Sequence, residues 1–330
     1  MSCLLVSLSP CLLTSCYNAD KEFPDYEGGT TAYFAYQNPV RTLVLGNDIY
    51  DNTLDNEHKC RIWATMGGAY SGRNAVVNIV VDEKLCDNLY FTDEGGNPDE
   101  PVRPMPTAYY RLASNTIPYN GDTRGYVEVQ FTDDFFKDEK SIANTYVIPL
   151  RMTEEFTGID HILSGTPREG LSPSRTNTED WEVLAMDYVL YCVKYQNKYS
   201  GWWLTHHTTS TADIEHAQTV EIKTLSLNSC AYAVSYQDGD KIYNAELQLT
   251  FDGSEKCTIT ALTDGVTATG SGSWGDDSEK KAWGDKDRDG MTLDYTVTFA
   301  DGKSFSTSEK LVWQRSGVIP ANEFSPVYQK

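Results

Sequence analysis

Seven tryptophans and twenty-one tyrosines in 330 residues supply the side chains with the clearest chemical use in this sequence. An indole ring has a flat apolar face that stacks on the C–H face of a pyranose, and it contributes a large contact area for few rotatable bonds. Trp202, Trp274 and Trp283 are the positions where such stacking on a glycan is expected. Trp274 and Trp283 belong with the charged run GDDSEKKAWGDKDRDG, which reads as a long loop at one end of a β domain, where ligand-carrying residues collect. The plainer alternative for each ring is that it covers the edge of a core.

Asp285, Asp287, Asp289 and Gly290 spell D-x-D-x-D-G, the opening of a calcium loop. Position twelve is Thr296 rather than a bidentate glutamate, and an alternating strand pattern starts at Met291, where the loop should continue. A solvated hairpin is therefore the preferred reading, with calcium on the three aspartates as the lesser one. His206 and His207 are neighbours, and neighbours on a strand face opposite ways, so they are poorly placed to share zinc with each other or with His216. No H-E-x-x-H, G-x-S-x-G, P-loop or G-x-G-x-x-G is present. No residue is assigned a catalytic role, no cofactor is expected, and the sequence reads as that of a binding protein rather than an enzyme.

The formal net charge is −21, from 48 acidic and 27 basic residues distributed along the chain. Nucleic acid binding requires a basic footprint, so that class of partner is not expected, nor is an anionic bilayer as a direct ligand. The acidic excess serves solubility.

Residues 1–16, MSCLLVSLSPCLLTSC, are apolar and rich in small residues, and give way at Tyr17 to a polar run. The stretch is too short to span a bilayer and fits a signal-peptide core with its cleavage site. Leu13-Thr14-Ser15-Cys16 resembles the bacterial lipobox, which makes Cys16 the expected site of lipidation and an outer-membrane, outward-facing location the expected address. Five cysteines remain: Cys60, Cys86, Cys192, Cys230 and Cys257. The odd count forbids complete pairing and no C-x-x-C spacing occurs, so buried free thiols are expected, with a bridge between Cys60 and Cys86 as an open alternative.

Apart from the leader, the chain reads as all-β in two domains. Residues 17–31 read as a tether. Residues 32–157 carry short alternating runs, such as YVEVQFT, in which Val127, Val129 and Phe131 alternate with Glu128, Gln130 and Thr132; these suggest an immunoglobulin-like sandwich. Residues 158–185 collect Gly, Pro, Ser and Thr and read as a linker. Residues 186–330 give an antiparallel meander of about eight strands, beginning with 187–195 and divided by Asp-Gly pairs at 238–239, 252–253, 264–265 and 301–302. Eight such strands with one apolar face close into an up-and-down barrel. If that lumen is open, it suits a small apolar ligand.

With those residues in view, the chain resembles a family of surface lipoproteins encoded beside glycan-uptake systems of gut Bacteroidota. The segment YFAYQNPVRTLVLGNDIYDNTLDNEHKCRIWATMGGAY resembles the start of its immunoglobulin-like, adhesin-like N-terminal domain, and ANTYVIPLRMTEEFTG resembles the end of that domain. The stretch from DYVLYCVKYQNKYSGWW to DGKSFSTSEKLVWQRSG resembles a lipocalin-like barrel domain. The resemblance implies capture or import of a polysaccharide or oligosaccharide. The second implied role is an adhesin-like or structural subunit that docks onto an outer-membrane transporter or another protein. It also implies a barrel-closing pair: Gly201-Trp202-Trp203 follows the lipocalin Gly-x-Trp pattern, so Trp203 would stack on Arg315 of the last strand, a contact contributing about 1–2 kcal/mol.

Overall fold

The computed structural model describes residues 24–210, 212–319 and 322–329, without the side chains of 212–216 and 283. Cys16 and the leader lie outside the described residues. Strand makes up 57% of the structure and helix 7%. No described helix is long and apolar enough to cross a membrane.

The first half is a two-sheet sandwich. Its main strands are β1 (Thr31–Tyr33), β2 (Pro39–Val44), β3 (Lys59–Gly67), β4 (Val76–Val81), β5 (Tyr110–Leu112), β6 (Thr116–Pro118), β7 (Arg124–Phe131), β8 (Tyr146–Thr157), β9 (His161–Ile162) and β10 (Tyr188–Gln196). One sheet has the order β9-β1-β3-β7-β5, and the other contains β2-β10-β8-β4-β6. The alternation read in β7 is observed: Val127, Val129 and Phe131 are buried between the sheets while Glu128 and Gln130 point outward. A short helix, Asp133–Lys137, drives Phe135 and Phe136 under Tyr195, with ring centroids 6.0 and 5.1 Å away. Each phenylalanine so buried contributes about 2–3 kcal/mol.

Three expectations about boundaries change. The stretch 187–195, taken as the first barrel strand, lies in β10 of the sandwich (Tyr188–Gln196), parallel to β2 and antiparallel to β8. The physical reason is in the run YVLYCVKYQ, where Tyr188, Val189, Leu190, Cys192 and Val193 are all buried. A strand covered on both faces loses the alternation that a barrel strand keeps. Val189 and Val193 enter the inter-sheet core, while Leu190 and Cys192 join a second cluster with Leu89, Phe91 and Trp181 on the sheet's other side.

The supposed linker is also folded onto the sandwich. β9 runs parallel to β1, Trp181 is buried, and its indole N–H donates to the Ser174 carbonyl at 2.8 Å. The described end of the tether is held too: the Tyr26 N–H donates to Gly68 O at 2.8 Å, and Thr30 donates twice to Asp160. Its polar composition satisfies backbone groups at the surface rather than making a free spacer.

The second half is a closed antiparallel barrel of β11 (Gly201–Thr209), β12 (Ala212–Ser226), β13 (Ser229–Asp238), β14 (Lys241–Phe251), β15 (Lys256–Ala261), β16 (Thr267–Trp283), β17 (Lys286–Thr298) and β18 (Ser304–Arg315). Closure is made by β11 pairing with β18, so GWWLTHHTT supplies the strand that 187–195 does not. Tyr243, Ala245, Leu247, Leu249 and Phe251 point inward as their period requires. Gly239, Gly265 and Gly302 occupy the turns with φ of 60°, 74° and 83°, a region open to glycine at no steric cost. The charged run read as a loop is instead the far part of β16 and β17, a two-stranded ribbon reaching the Trp283–Lys286 pair.

The end of the chain returns to the sandwich. Asn322–Glu323 pairs with β2, Val327–Tyr328 pairs with Leu89–Thr92, and Phe324 packs on Phe91 at 4.8 Å.

Candidate functional site

The outer face of the β3–β7 pair carries the functional candidate. Register places Trp63 opposite Tyr126, Arg61 opposite Glu128, Lys59 opposite Gln130 and Thr65 opposite Arg124. Cross-strand partners share a face. Arg111 of β5 joins this face opposite Gln130, and Tyr33 of β1 joins it opposite Thr65. Their inward neighbours Cys60, Ile62, Ala64, Val127 and Val129 are buried, which fixes this side as the solvent side.

Trp63 is 46% exposed, the most exposed of the tryptophans whose side chains are described. Its ring lies 4.7 Å from that of Tyr126, inclined at 51°. The Arg61 guanidinium stands 4.5 Å over the Tyr126 ring and that of Arg124 5.5 Å over Trp63. Lys59 bonds Glu57 at 3.0 Å and lies 3.7 Å from Glu128, while Arg61 is 3.8 Å from Glu128. Two rings held at an angle, each with a guanidinium over part of its face, put aromatic surface and hydrogen-bond donors side by side for a ligand ring.

The tryptophans singled out in the sequence are placed otherwise. Trp202 faces outward on β11, half-buried, with Arg315 over its ring at 5.7 Å. A Cβ on Gly317 would come within 2.6 Å of its indole nitrogen, so the tail past the barrel runs close along that edge. Trp203 faces the lumen, fully buried, donates to the Tyr199 carbonyl at 3.1 Å, and stands opposite Trp313. The expected Trp203–Arg315 pair is thus replaced by Trp202–Arg315, because Arg315 is the register partner of Trp202 and a bulge lies between them and the Trp203–Trp313 pair. Trp274 turns into the barrel end, edge-on to Tyr199 at 5.6 Å and beneath the Lys198 ammonium at 4.2 Å; its buried indole N–H has no partner among the described residues. Of Trp283 only the backbone is described. Trp202 and Trp274 therefore sit on opposite sides of the barrel wall and form no shared platform.

The lumen is filled by rings at both ends. Tyr199 stacks on Phe251 at 3.8 Å and 7° at one end, and Tyr236 stacks on Phe305 at 4.6 Å and 5° at the other, where Tyr243 and Phe299 join them. Between the plugs lies Glu309, which accepts from the Tyr232 hydroxyl at 3.0 Å and also faces the Tyr295 hydroxyl. Burial pushes this carboxyl up to about 7, against the hydrogen bonds from Tyr295 and Tyr232 that favour its charged form.

The three aspartates of the calcium reading do not converge. Asp285 sits at the ribbon tip with φ 58°, Asp287 pairs with Lys280 at 2.9 Å, and Asp289 is buried, accepting from Asn47 at 3.1 Å and from the Asp277 N–H at 3.0 Å. A strand spreads successive residues by about 3.3 Å, whereas a calcium loop curls them round one point. Asp276, Asp277 and Asp289 do approach one another within 4.8 Å, with Asn47 of the sandwich donating to Asp276 and Asp289. His206 and His207 take opposite faces, His207 bonding Thr205 at 3.1 Å. The open Cys60–Cys86 alternative also falls: the five cysteines are free and buried, Cys60 between the sheets and Cys86 in the cluster beyond the second sheet. Burial pushes both thiols up to about 12.

A cavity of about 320 Å³ beside Tyr188 and Tyr328 is lined by Asn38, Thr176 and Asn177, but Asn177 already bonds Asp180 and Thr176 bonds Ser174. The β3–β7 face was missed in the sequence although a signal exists. In CRIWATM the period assigns Trp63 to the polar side, and in YVEVQFT it assigns Tyr126 there; a large aromatic on the solvent side of a clean alternation marks the place.

Residues 26–157 match the family model of a "-like, N-terminal domain", and residues 193–317 match Domain of unknown function (DUF5627). No curated protein matches. Among solved structures, the crystal structure of a structural-genomics protein of unknown function from Bacteroides ovatus is 39% identical, with a TM-score of 0.82; the match covers 92% of this chain and 100% of that one. The chain belongs to the same family as that Bacteroides ovatus protein.

Proposed function

We propose that this chain is a non-catalytic glycan-binding protein of the cell surface, anchored through Cys16 and assisting a glycan-uptake system. The observation that carries the reading is exposed Trp63 beside half-buried Tyr126 on the sandwich face. A sugar that hides ~80 Å² of apolar surface on one ring gains about 2 kcal/mol. Half-buried Tyr126 adds a smaller contact, so one unit binds in the millimolar range or weaker. A polymer that meets the face repeatedly gains further through effective concentration. The rigid sheet holds both rings without an ordering cost on binding.

Affinity electrophoresis of the mature chain through gels containing single polysaccharides tests the reading. Retardation by at least one polysaccharide, lost in Trp63→Ala, is the expected result. Unretarded migration across a panel of host and dietary polysaccharides counts decisively against it. Docking to a transporter or another protein is the second reading, favoured by the same Trp, Tyr and Arg composition, which is typical of protein-binding hot spots. Capture of a defined outer-membrane protein in the absence of glycan, abolished by Trp63→Ala, would favour docking.

A further inference from the structure

We infer that the polysaccharide taken by the β3–β7 face is anionic, its carboxylates or sulfates held by Arg124 and Arg111 on either side of the Trp63–Tyr126 rings. The inference rests on the glycan-binding reading and narrows its ligand class. The chain as a whole carries 48 acidic and 27 basic residues, so a basic side chain has carboxylates to spare as partners. On this face four cations, Lys59, Arg61, Arg111 and Arg124, stand against the carboxylates of Glu57 and Glu128 and, at the Arg124 end, that of Asp122, which accepts from the Arg124 backbone N–H at 3.2 Å. Both glutamates are engaged by Lys59 and Arg61. Among the described residues, no carboxylate lies within ion-pair distance of Arg111 or Arg124.

The placement is linear. Arg124, the two rings, and then Lys59 with Arg111 follow one another along six residue steps of the β3–β7 ladder, roughly 20 Å. An extended chain of several sugars fits that length. The Arg124 guanidinium stands 5.5 Å over the centre of the Trp63 ring, so a pyranose stacked on the indole surface left free has its exocyclic acid group within reach of the guanidinium fork. A planar guanidinium matches carboxylate and sulfate oxygens two at a time, which an ammonium does not. The net negative charge of the whole molecule repels a polyanion at long range, but at physiological salt the screening length is about 8 Å, so the local cations decide close contact.

The test compares one backbone with and without charge: dextran, dextran sulfate and, for carboxylate, polygalacturonate, titrated against the mature chain by affinity electrophoresis at physiological salt. The expected result is that at least one polyanion binds roughly tenfold or more tightly than dextran. The Arg111→Ala/Arg124→Ala double variant loses roughly that factor for the polyanion, a larger loss than for any neutral polysaccharide that binds. Trp63→Ala weakens both kinds. Both arginines are exposed or half-exposed, and an unchanged urea midpoint verifies that the double variant is folded. Preference for sulfate over galacturonate, or the reverse, identifies the acid group. Neutral polysaccharides binding as tightly as the polyanions, or a double variant with undiminished polyanion affinity, overturns the inference and leaves glycan binding standing. No binding to neutral or acidic polysaccharide overturns both.

Discussion

The sandwich and the barrel place their aromatic residues in opposite ways. In the barrel, Trp202 apart, the rings face inward and stack on one another, Tyr199 on Phe251 and Tyr236 on Phe305, with Trp203 completely enclosed. In the sandwich the inter-sheet core also holds phenylalanines, but Trp63 and Tyr126 are turned outward onto a face edged with arginine. The difference separates two uses of one chemistry. A ring packed among rings stabilises its own domain, whereas a ring left on a rigid sheet is available to another molecule.

The contrast is sharpest where the barrel is cut. Trp203→Ala should destabilise the protein by about 3–5 kcal/mol, read as a lower urea midpoint. An unchanged midpoint would mean that the lumen is not the packed interior described here.

Glu309 gives the next effect. Its carboxyl is pushed up to about 7 in the folded chain, against an ordinary value of 4.5 when unfolded. Between those values the folded state holds the extra proton, so stability is greatest at the acid side of that window, falls as pH rises through about 7, and then levels off, for a total loss of about 3 kcal/mol from this group. Glu309→Gln should flatten that slope in urea titrations between pH 5 and 8. A slope equal to the parent's would detach the effect from Glu309.

Trp63→Ala should do the reverse of Trp203→Ala: stability within about 0.5 kcal/mol of the parent, and polysaccharide affinity reduced roughly tenfold or more. Equilibrium unfolding and affinity electrophoresis on the same sample separate the two quantities. The smallest effect belongs to Trp202→Ala, which removes the Arg315 contact and should cost about 1 kcal/mol with glycan affinity unchanged. A loss of affinity there would move the site to the barrel wall.

Much of this fold is legible in the sequence because the period of two is kept wherever only one side of a strand is covered. Leu247 and Leu249 alternate with Glu246 and Gln248, and three of the turns between barrel strands carry an Asp-Gly pair whose glycine, Gly239, Gly265 or Gly302, takes positive φ. The alternation fails for Tyr188–Gln196, covered on both sides, so its apolar run does not say which domain it serves. Gly201–Thr209 escapes because its tryptophans and histidines look like a motif rather than a strand. The ribbon beyond Trp274 escapes because its outward and inward positions are both polar. The candidate face depends on bringing Arg111, Trp63 and Tyr126 together across three strands distant in sequence, which only register can do. Its single local trace is an aromatic residue on the polar side of an alternating run.

The central claim is that the outward rings of β3 and β7 receive the ligand. A crystal structure of the chain with an oligosaccharide cut from whichever polysaccharide retards it addresses this directly. The account predicts a sugar ring stacked on Trp63 beside Tyr126, with Arg124 at its polar edge. Sugar seated on Trp202, at the Trp274 end of the barrel or in the lumen, with the Trp63 face bare, would contradict it.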